Sequence, residues 1–324
     1  MIGDAYISGP AYMGSPAIIQ TLGQFAGAIV SLTWKGIEFI DHFDHGRELQ
    51  TSVHYGPIEE DEAGTQAGSQ SQLLAFVHKR NVVITRTRPA LYYGGGPSPD
   101  TTIWKRVQVG WGGFKNVIDY RTSVTVTSLH PQMAVEAPTA YMPGGFNEFF
   151  SFVHGKLRVI PAPHLCCSYS AFPLIIMNPT QRVAMGVVAA KRPTIYSVGL
   201  FNGVSKWGVT YMRGRTPPGV YSYDTKIVIG RFSFVEATMH RLELKLGVGV
   251  GTRSAAVTGR AGQPAARHGA SAATRSATVT GRVGKSAAWS GASAATRSAT
   301  VTVRAGQSAA SRGTSAASRS AHHR

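Results

Sequence analysis

The densest run of chemically capable side chains in this sequence is Asp41-His42-Phe43-Asp44-His45-Gly46-Arg47-Glu48-Leu49-Gln50. In extended chain, successive side chains point to opposite faces, so His45, Arg47 and Leu49 share one side and Asp44, Glu48 and Gln50 the other. Arg47 offers a planar fork to a carboxylate or to adjacent sugar hydroxyls. His45 can donate, accept or exchange a proton near neutral pH, and Asp44 can orient a histidine. Gly46 lets the backbone turn or approach a ligand closely. The competing reading is a solvated loop whose charges pair with one another.

A second cluster runs from His130 through Glu136 to Tyr141, Asn147 and Glu148. His130 and Glu136 have the chemistry of an acid/base couple for a lyase, hydrolase or epimerase, provided the fold sets them on either side of a reacting atom. Gly144-Gly145-Phe146-Asn147 reads as a platform loop, with an amide at Asn147 for hydroxyls. Trp207, next to Lys206, offers a ring for stacking on a sugar, and the alternative for it is a place in the core. The catalytic candidates are therefore His45, His130 and Glu136, and the ligand-binding candidates Asp44, Arg47, Gln50, Asn147 and Trp207. His42, His45 and His54 with the run Glu59-Glu60-Asp61-Glu62 carry metal-binding chemistry, but their spacing matches no zinc or calcium motif. The acidic run reads as an exposed loop, and neither a metal nor another cofactor is expected.

The elements that must position these groups read as strands. Ala17–Leu22, Ala28–Trp34 and Ile37–Ile40 are short apolar or β-branched runs, with Lys35-Gly36 as a tight turn. Asn81–Arg88 and Thr122–Leu129 approach the period-two pattern of a strand with one wet face. Further strands are expected at Ile103–Val109, Phe149–Val153, Arg182–Ala189, Thr194–Phe201 and Trp207–Arg213. Lys226–Leu246 is long enough for two strands or one bent strand. No segment keeps a clean helical stripe over 12 or more residues, and the prediction is an all-β fold, a large antiparallel sandwich.

Gly23–Ile40, GQFAGAIVSLTWKGIEFI, resembles the opening of galactose mutarotase-like supersandwich proteins. There a Gly-Ala strand runs into the pattern S-L-x-x-x-G-x-E, here Ser31 to Glu38. The resemblance implies that Phe43–Gln50 occupies the place of polar sugar-contacting residues, an arginine among them. Its members include sugar epimerases and non-catalytic carbohydrate-binding domains, and it assigns no catalytic pair.

From Thr252 the composition changes. TRSAAVTGRAGQPAARHGASAA, TRSATVTGRVGKSAAWSGASAA and TRSATVTVRAGQSAASRGTSAA follow one another from Thr252, Thr274 and Thr296, a tandem repeat of 22 residues. Residues 252–324 hold ten Arg, one Lys and no acidic residue, or +11 of the formal +17. That leaves residues 1–251 with 22 basic against 16 acidic side chains. Ala, Gly, Ser and Thr offer too little apolar area to offset an ordering cost of about 1–2 kcal/mol per residue. The expected organisation is a β-sandwich over 1–251 and a disordered cationic repeat over 252–324. The tail suits non-specific contact with polyanions or nucleic acid.

Cys166 and Cys167, the two cysteines, are adjacent, a spacing that rarely bridges and gives no disulfide framework. The N-terminus lacks the pattern of a secretory signal and no run of about 18 apolar residues is present, so a cytoplasmic location is the default expectation. The functional expectation is a carbohydrate-binding or carbohydrate-active sandwich, its catalytic status open. The alternative is a structural β domain whose cationic tail binds polyanions.

Overall fold

The structure, a computed structural model, describes residues 2–43, 46–56, 58–64, 70–92, 96–161 and 167–248. The chain divides into two units, Met1–Val250 and Gly251–Arg324. Every described residue belongs to the first, so the repeat and its expected disorder lie outside the described residues, as do Asp44 and His45.

The first third of the unit carries strands β1 (Ala5–Ser8), β2 (Ala17–Thr21), β3 (Ile29–Trp34), β4 (Ile37–Glu38), β5 (Gln50–Tyr55), β6 (Ile58–Asp61), β7 (Gln72–Lys79), β8 (Val82–Arg88) and β9 (Ala90–Leu91). Two long strands follow, β10 (Thr101–Trp111) and β11 (Phe114–Val126), then β12 (Met133–Met142), β13 (Glu148–Val153), β14 (Lys156–Ile160) and β15 (Ser168–Ser170). The last group is β16 (Leu174–Asn178), β17 (Val183–Ala189), β18 (Ile195–Phe201), β19 (Val204–Arg213), β20 (Gly219–Arg231) and the helix α1 (Phe232–Leu246).

These strands form three antiparallel sheets. β1-β2-β3-β4 make a small sheet, β14-β13-β16-β17-β20-β11-β10-β8-β7 a nine-stranded one and β15-β18-β19-β12-β5-β6-β9 a seven-stranded one. The expected tight turn is present: Lys35 and Gly36 have φ of 53° and 74° between the paired Trp34 and Ile37, as a two-residue hairpin with both central residues left-handed requires. The large sheets face each other over one core, where Val198, Trp207 and Val209 of the seven-stranded sheet meet Val107, Ile118 and Ile227 of the nine-stranded one. Ile19, Leu32 and Trp34 of the small sheet join the same core.

The all-β expectation needs one correction. Lys226–Leu246 is the end of β20 followed by a helix, which buries Val235, Thr238, Met239, Leu242 and Glu243, a spacing of three, four, seven and eight. Two members of that stripe are polar, so hydropathy alone conceals it. Val235, Met239 and Leu242 cover Val117, Val188 and Val228 on the outer face of the nine-stranded sheet, while Glu243 accepts the Gly155 N–H at 3.1 Å. The acidic run is also not an exposed loop: Glu60, Asp61 and Glu62 are buried. Of the cysteine pair, Cys166 lies outside the described residues. No helix among the described residues is long and apolar enough to cross a membrane.

One ion pair lies between the sheets. Lys105 Nζ stands 2.5 Å from Glu62 Oε1, both side chains 0 % exposed, and donates to the Gly27 carbonyl at 3.0 Å. Glu62 Oε2 accepts the Thr51 N–H at 3.2 Å. Burying two charges costs several kcal/mol per ion, which their attraction offsets only with such added hydrogen bonds. Removing one partner strands the other charge. Lys105→Met should therefore lower unfolding stability by about 3–5 kcal/mol in urea denaturation, with Lys105→Met/Glu62→Gln recovering part of it. A loss below about 1 kcal/mol, as for an exposed pair, would contradict this reading.

Candidate functional site

Strand alternation divides the seven-stranded sheet into two unlike faces. Val53, Tyr55, Met133 and Val135 point inward to the core, so their neighbours Ser52, His54, Ala134 and Glu136 point outward. Glu136 stands opposite Thr210 on β19 and Ser52 on β5, while Ser52 faces Asp61 and His54 faces Glu59 on β6. A bulge between Glu136 and Thr139 places two residues of β12, Ala137 and Pro138, against one of β19, Val209. The extra residue reverses the alternation, so Tyr141, at an odd position, joins Glu136 on the outward face opposite Lys206.

The floor beneath these groups is made of small residues. A Cβ built on Gly208 would lie 3.0 Å from Ser197 Oγ and 3.1 Å from Glu136 Oε1. The missing side chain thus lets the Glu136 carboxylate lie against the sheet beside a hydroxyl. Ser52, Ser197 and Thr210 are buried around it.

Charge organises the rest. Burial alone would push the Lys206 ammonium down, but the fields of Glu136, Tyr141, Glu59 and Asp61 together outweigh it and raise its affinity for the proton. Burial pushes the Tyr141 phenol up, against the opposing pull of Lys206. Asp61 is held well above the ordinary 3.8, first by burial and then by Glu59, with Glu136 adding to the shift and Ser52 and Lys206 opposing it. Its Oδ1 has no hydrogen-bond partner among the described residues.

Arg47 reaches the same neighbourhood. Its backbone carbonyl accepts the Tyr141 N–H at 3.0 Å, and the Tyr141 carbonyl accepts the Asp41 N–H at 2.8 Å. Arg47 Nη1 lies 3.4 Å from Asp41 Oδ2. The Arg47 guanidinium and Lys206 Nζ each lie 5.5 Å from the centre of the Tyr141 ring.

Of the residues singled out in the sequence, the structure brings Glu136 and Arg47 together through Tyr141 and Lys206. Gln50 shares a register position with Thr139 but is buried, with Oε1 accepting the Ala63 N–H at 2.7 Å and Nε2 unpartnered among the described residues. Asn147 is exposed just before β13, in the other sheet. Trp207 is corrected outright: it is 0 % exposed and belongs to the core between the sheets, because it neighbours the outward Lys206 and Gly208 and must point inward. Its ring has no face for a sugar.

His130 is not joined to Glu136. It stacks on Tyr55, an inward residue, at 3.6 Å between ring centres, and its Nε2 lies 2.8 Å from Asp100 Oδ2. Its backbone pairs with Thr216. The proposed His130–Glu136 couple is thus two separate groups, because the intervening strand carries them to different faces. Lys206, Asp61 and Tyr141 were missed as partners of Glu136. A period-two reading of Ile58–Asp61 would have put Glu59 and Asp61 on one face, but only the register shows which strand that face meets. Among the described residues no three metal-ligating side chains converge.

No protein-family model matches this chain, and no curated protein matches it. Solved structures do. The chain is similar in fold to galactose mutarotase-like proteins. One is the GalM/aldose epimerase homologue from C. elegans, at 10 % identity and TM-score 0.43 over 70 % of this chain and 99 % of that one. Another is a galactose mutarotase-like protein from Lactobacillus casei ATCC 334, at 8 % identity and TM-score 0.42 over 70 % and 100 %. A third is the galactose mutarotase related enzyme from Lactobacillus acidophilus, at 8 % identity and TM-score 0.40 over 71 % and 98 %. At such identities the likeness concerns the fold and not the chemistry.

The raised Asp61 carboxyl has a measurable sign. The unfolded chain releases this proton near the ordinary 3.8, the folded chain only at higher pH. The contribution of Asp61 to stability is therefore full below the ordinary value and is lost as pH rises through the folded value. The stability of the unsubstituted chain relative to Asp61→Asn should fall as pH is raised from about 4 towards 7, measured by urea denaturation at each pH. Parallel profiles for the two proteins would contradict it.

Proposed function

We propose that the outward face of the seven-stranded sheet binds a carbohydrate and carries out acid–base chemistry on it. The observation that supports this most is the Glu136 carboxylate lying over Gly208 in the field of Lys206, on a floor of buried hydroxyls. A sugar presents hydroxyls that both donate and accept, and this face offers both senses within one patch: carboxylates at Glu136 and Glu59, donors at Lys206 and Arg47, hydroxyls at Ser52, Ser197 and Thr210.

In this reading Glu136 accepts the proton of a sugar hydroxyl. Lys206, whose ammonium is held charged, stabilises the negative charge that develops. Asp61 is the carboxyl that keeps a proton to higher pH and can return it. Arg47, fixed by Asp41 and β12, orients the ligand beside the Tyr141 ring.

The test combines binding and turnover on a panel of neutral aldoses, by calorimetry and by polarimetry of anomer interconversion. Glu136→Gln should lower kcat by about 10²–10⁴-fold with KM changed only a few-fold, and Lys206→Met should weaken binding as well as turnover. Sugar binding without turnover would leave a binding module and refute the acid–base part. Binding indifferent to both substitutions would refute the site.

A further inference from the structure

The outer face of the nine-stranded sheet is only half covered. Helix α1 packs over β16, β17 and the adjoining parts of β20 and β11, and leaves β7, β8, β10 and the far part of β11 open. On that open half Arg86, Arg88, Arg106 and Arg121 point outward around Trp104, and Val77, Val82 and Ile84 form an apolar margin beside Arg106. Trp104 is 38 % exposed and sits in register between Arg86 on β8 and Ser123 on β11. Arg86 and Arg88 are exposed. Two residues along from Trp104, Arg106 stands opposite Arg121, whose side chain is 45 % exposed.

Like charges placed directly opposite on a sheet repel. Here Asp119 holds them: its Oδ2 lies 3.3 Å from Arg106 Nη1 and 3.1 Å from Arg121 Nε. The same carboxylate also serves the buried Lys226 at 2.6 Å, and Asp224 is the other carboxylate in contact. Three cations share two anions, and Arg86 and Arg88 add two more positive charges beside the exposed indole.

Charge selects the occupant. A second copy docked through the same face would present the same cations, and the C-terminal repeat adds +11, so both are repelled. An acidic peptide recognised by a sheet gains its main-chain hydrogen bonds at an edge strand, and would find none on this face. Single-stranded nucleic acid is held by stacking successive bases on several rings, and among the described residues this outward surface supplies one, Trp104. An exposed ring with flanking guanidiniums and the Ser123–Ser222 hydroxyl pair at 2.8 Å suits a chain of sugars that carry negative charge.

We propose that this face binds an anionic polysaccharide, one pyranose ring stacking on Trp104 and the acidic groups of its neighbours lying on Arg86, Arg88, Arg106 and Arg121. The proposal concerns a different sheet from the Glu136 site and stands independently of it.

The test is calorimetric binding of the full chain to polygalacturonate, dextran sulfate and neutral dextran at about 150 mM salt, where long-range attraction is screened. Trp104→Ala, and separately Arg86→Gln/Arg88→Gln, should each weaken binding about tenfold, or about 1.4 kcal/mol. Arg275→Gln/Arg282→Gln, the same charge loss within the repeat, should change it less than about twofold. Unchanged unfolding midpoints for these exposed substitutions would show that the losses are local. Binding of polygalacturonate alone assigns a uronate ligand, of dextran sulfate alone a sulfated one, and of both an anion selected by charge. The proposal is overturned if neutral dextran binds equally well, if only the repeat substitutions matter, or if oligo-dT or polyglutamate binds as tightly through the same residues.

Discussion

Cross-strand register in the seven-stranded sheet is the constraint on which the rest depends. Because side chains alternate with period two, a slip of one residue between β12 and β19 would turn either Trp207 outward or Glu136 into the core. The core forbids it: Trp207, Val198 and Val209 are fully buried against the other large sheet, and about 25 cal/mol per Å² of apolar surface resists their exposure. The polar face is thus a by-product of apolar packing behind it. The bulge after Glu136 then does what a regular strand cannot, setting Glu136 and Tyr141 on one face although an even number of residues lies between them.

Buried charge recurs where the sheets need polar contacts at depth. Lys105 and Glu62 pair between the sheets, Asp119 gathers three cations on the nine-stranded sheet, and Lys206 stands among carboxylates on the seven-stranded one. The three differ in what is left over. Lys105 and Glu62 are closed by the backbone of Gly27 and Thr51, a structural arrangement. The Glu136 group keeps unspent capacity, with Asp61 Oδ1 unpartnered among the described residues and Glu136 on the outward face. Unspent polar capacity on a surface of small residues is what a ligand can use.

Much of the sandwich was legible in the sequence. The β2–β3–β4 meander with its Lys35-Gly36 turn, and strands β8, β10, β17, β18 and β19, follow from β-branched runs punctuated by glycine. The segment with the supersandwich resemblance, Gly23–Ile40, forms part of the small sheet. The helix escaped because Thr238 and Glu243 occupy its buried stripe. The acidic run escaped because burial of Glu60, Asp61 and Glu62 depends on partners far along the chain: Ser98 for Glu60 at 2.7 Å, Lys105 for Glu62. The site was half legible for the same reason. Glu136 and Arg47 stand out as residue types, but Lys206 is 70 positions from Glu136, and only the register makes them neighbours. Trp207 shows the converse error, since aromatic character suggests a platform while its parity on β19 sends it into the core.

Whether the outward face around Glu136 receives a sugar is decided by the crystal structure of the protein soaked in a neutral aldose. The expected result is a pyranose whose hydroxyls lie within hydrogen-bond distance of the Glu136 carboxylate and Lys206 Nζ, with its ring beside Tyr141. A sugar bound elsewhere with this face holding only water, at a concentration that saturates binding in solution, would contradict it.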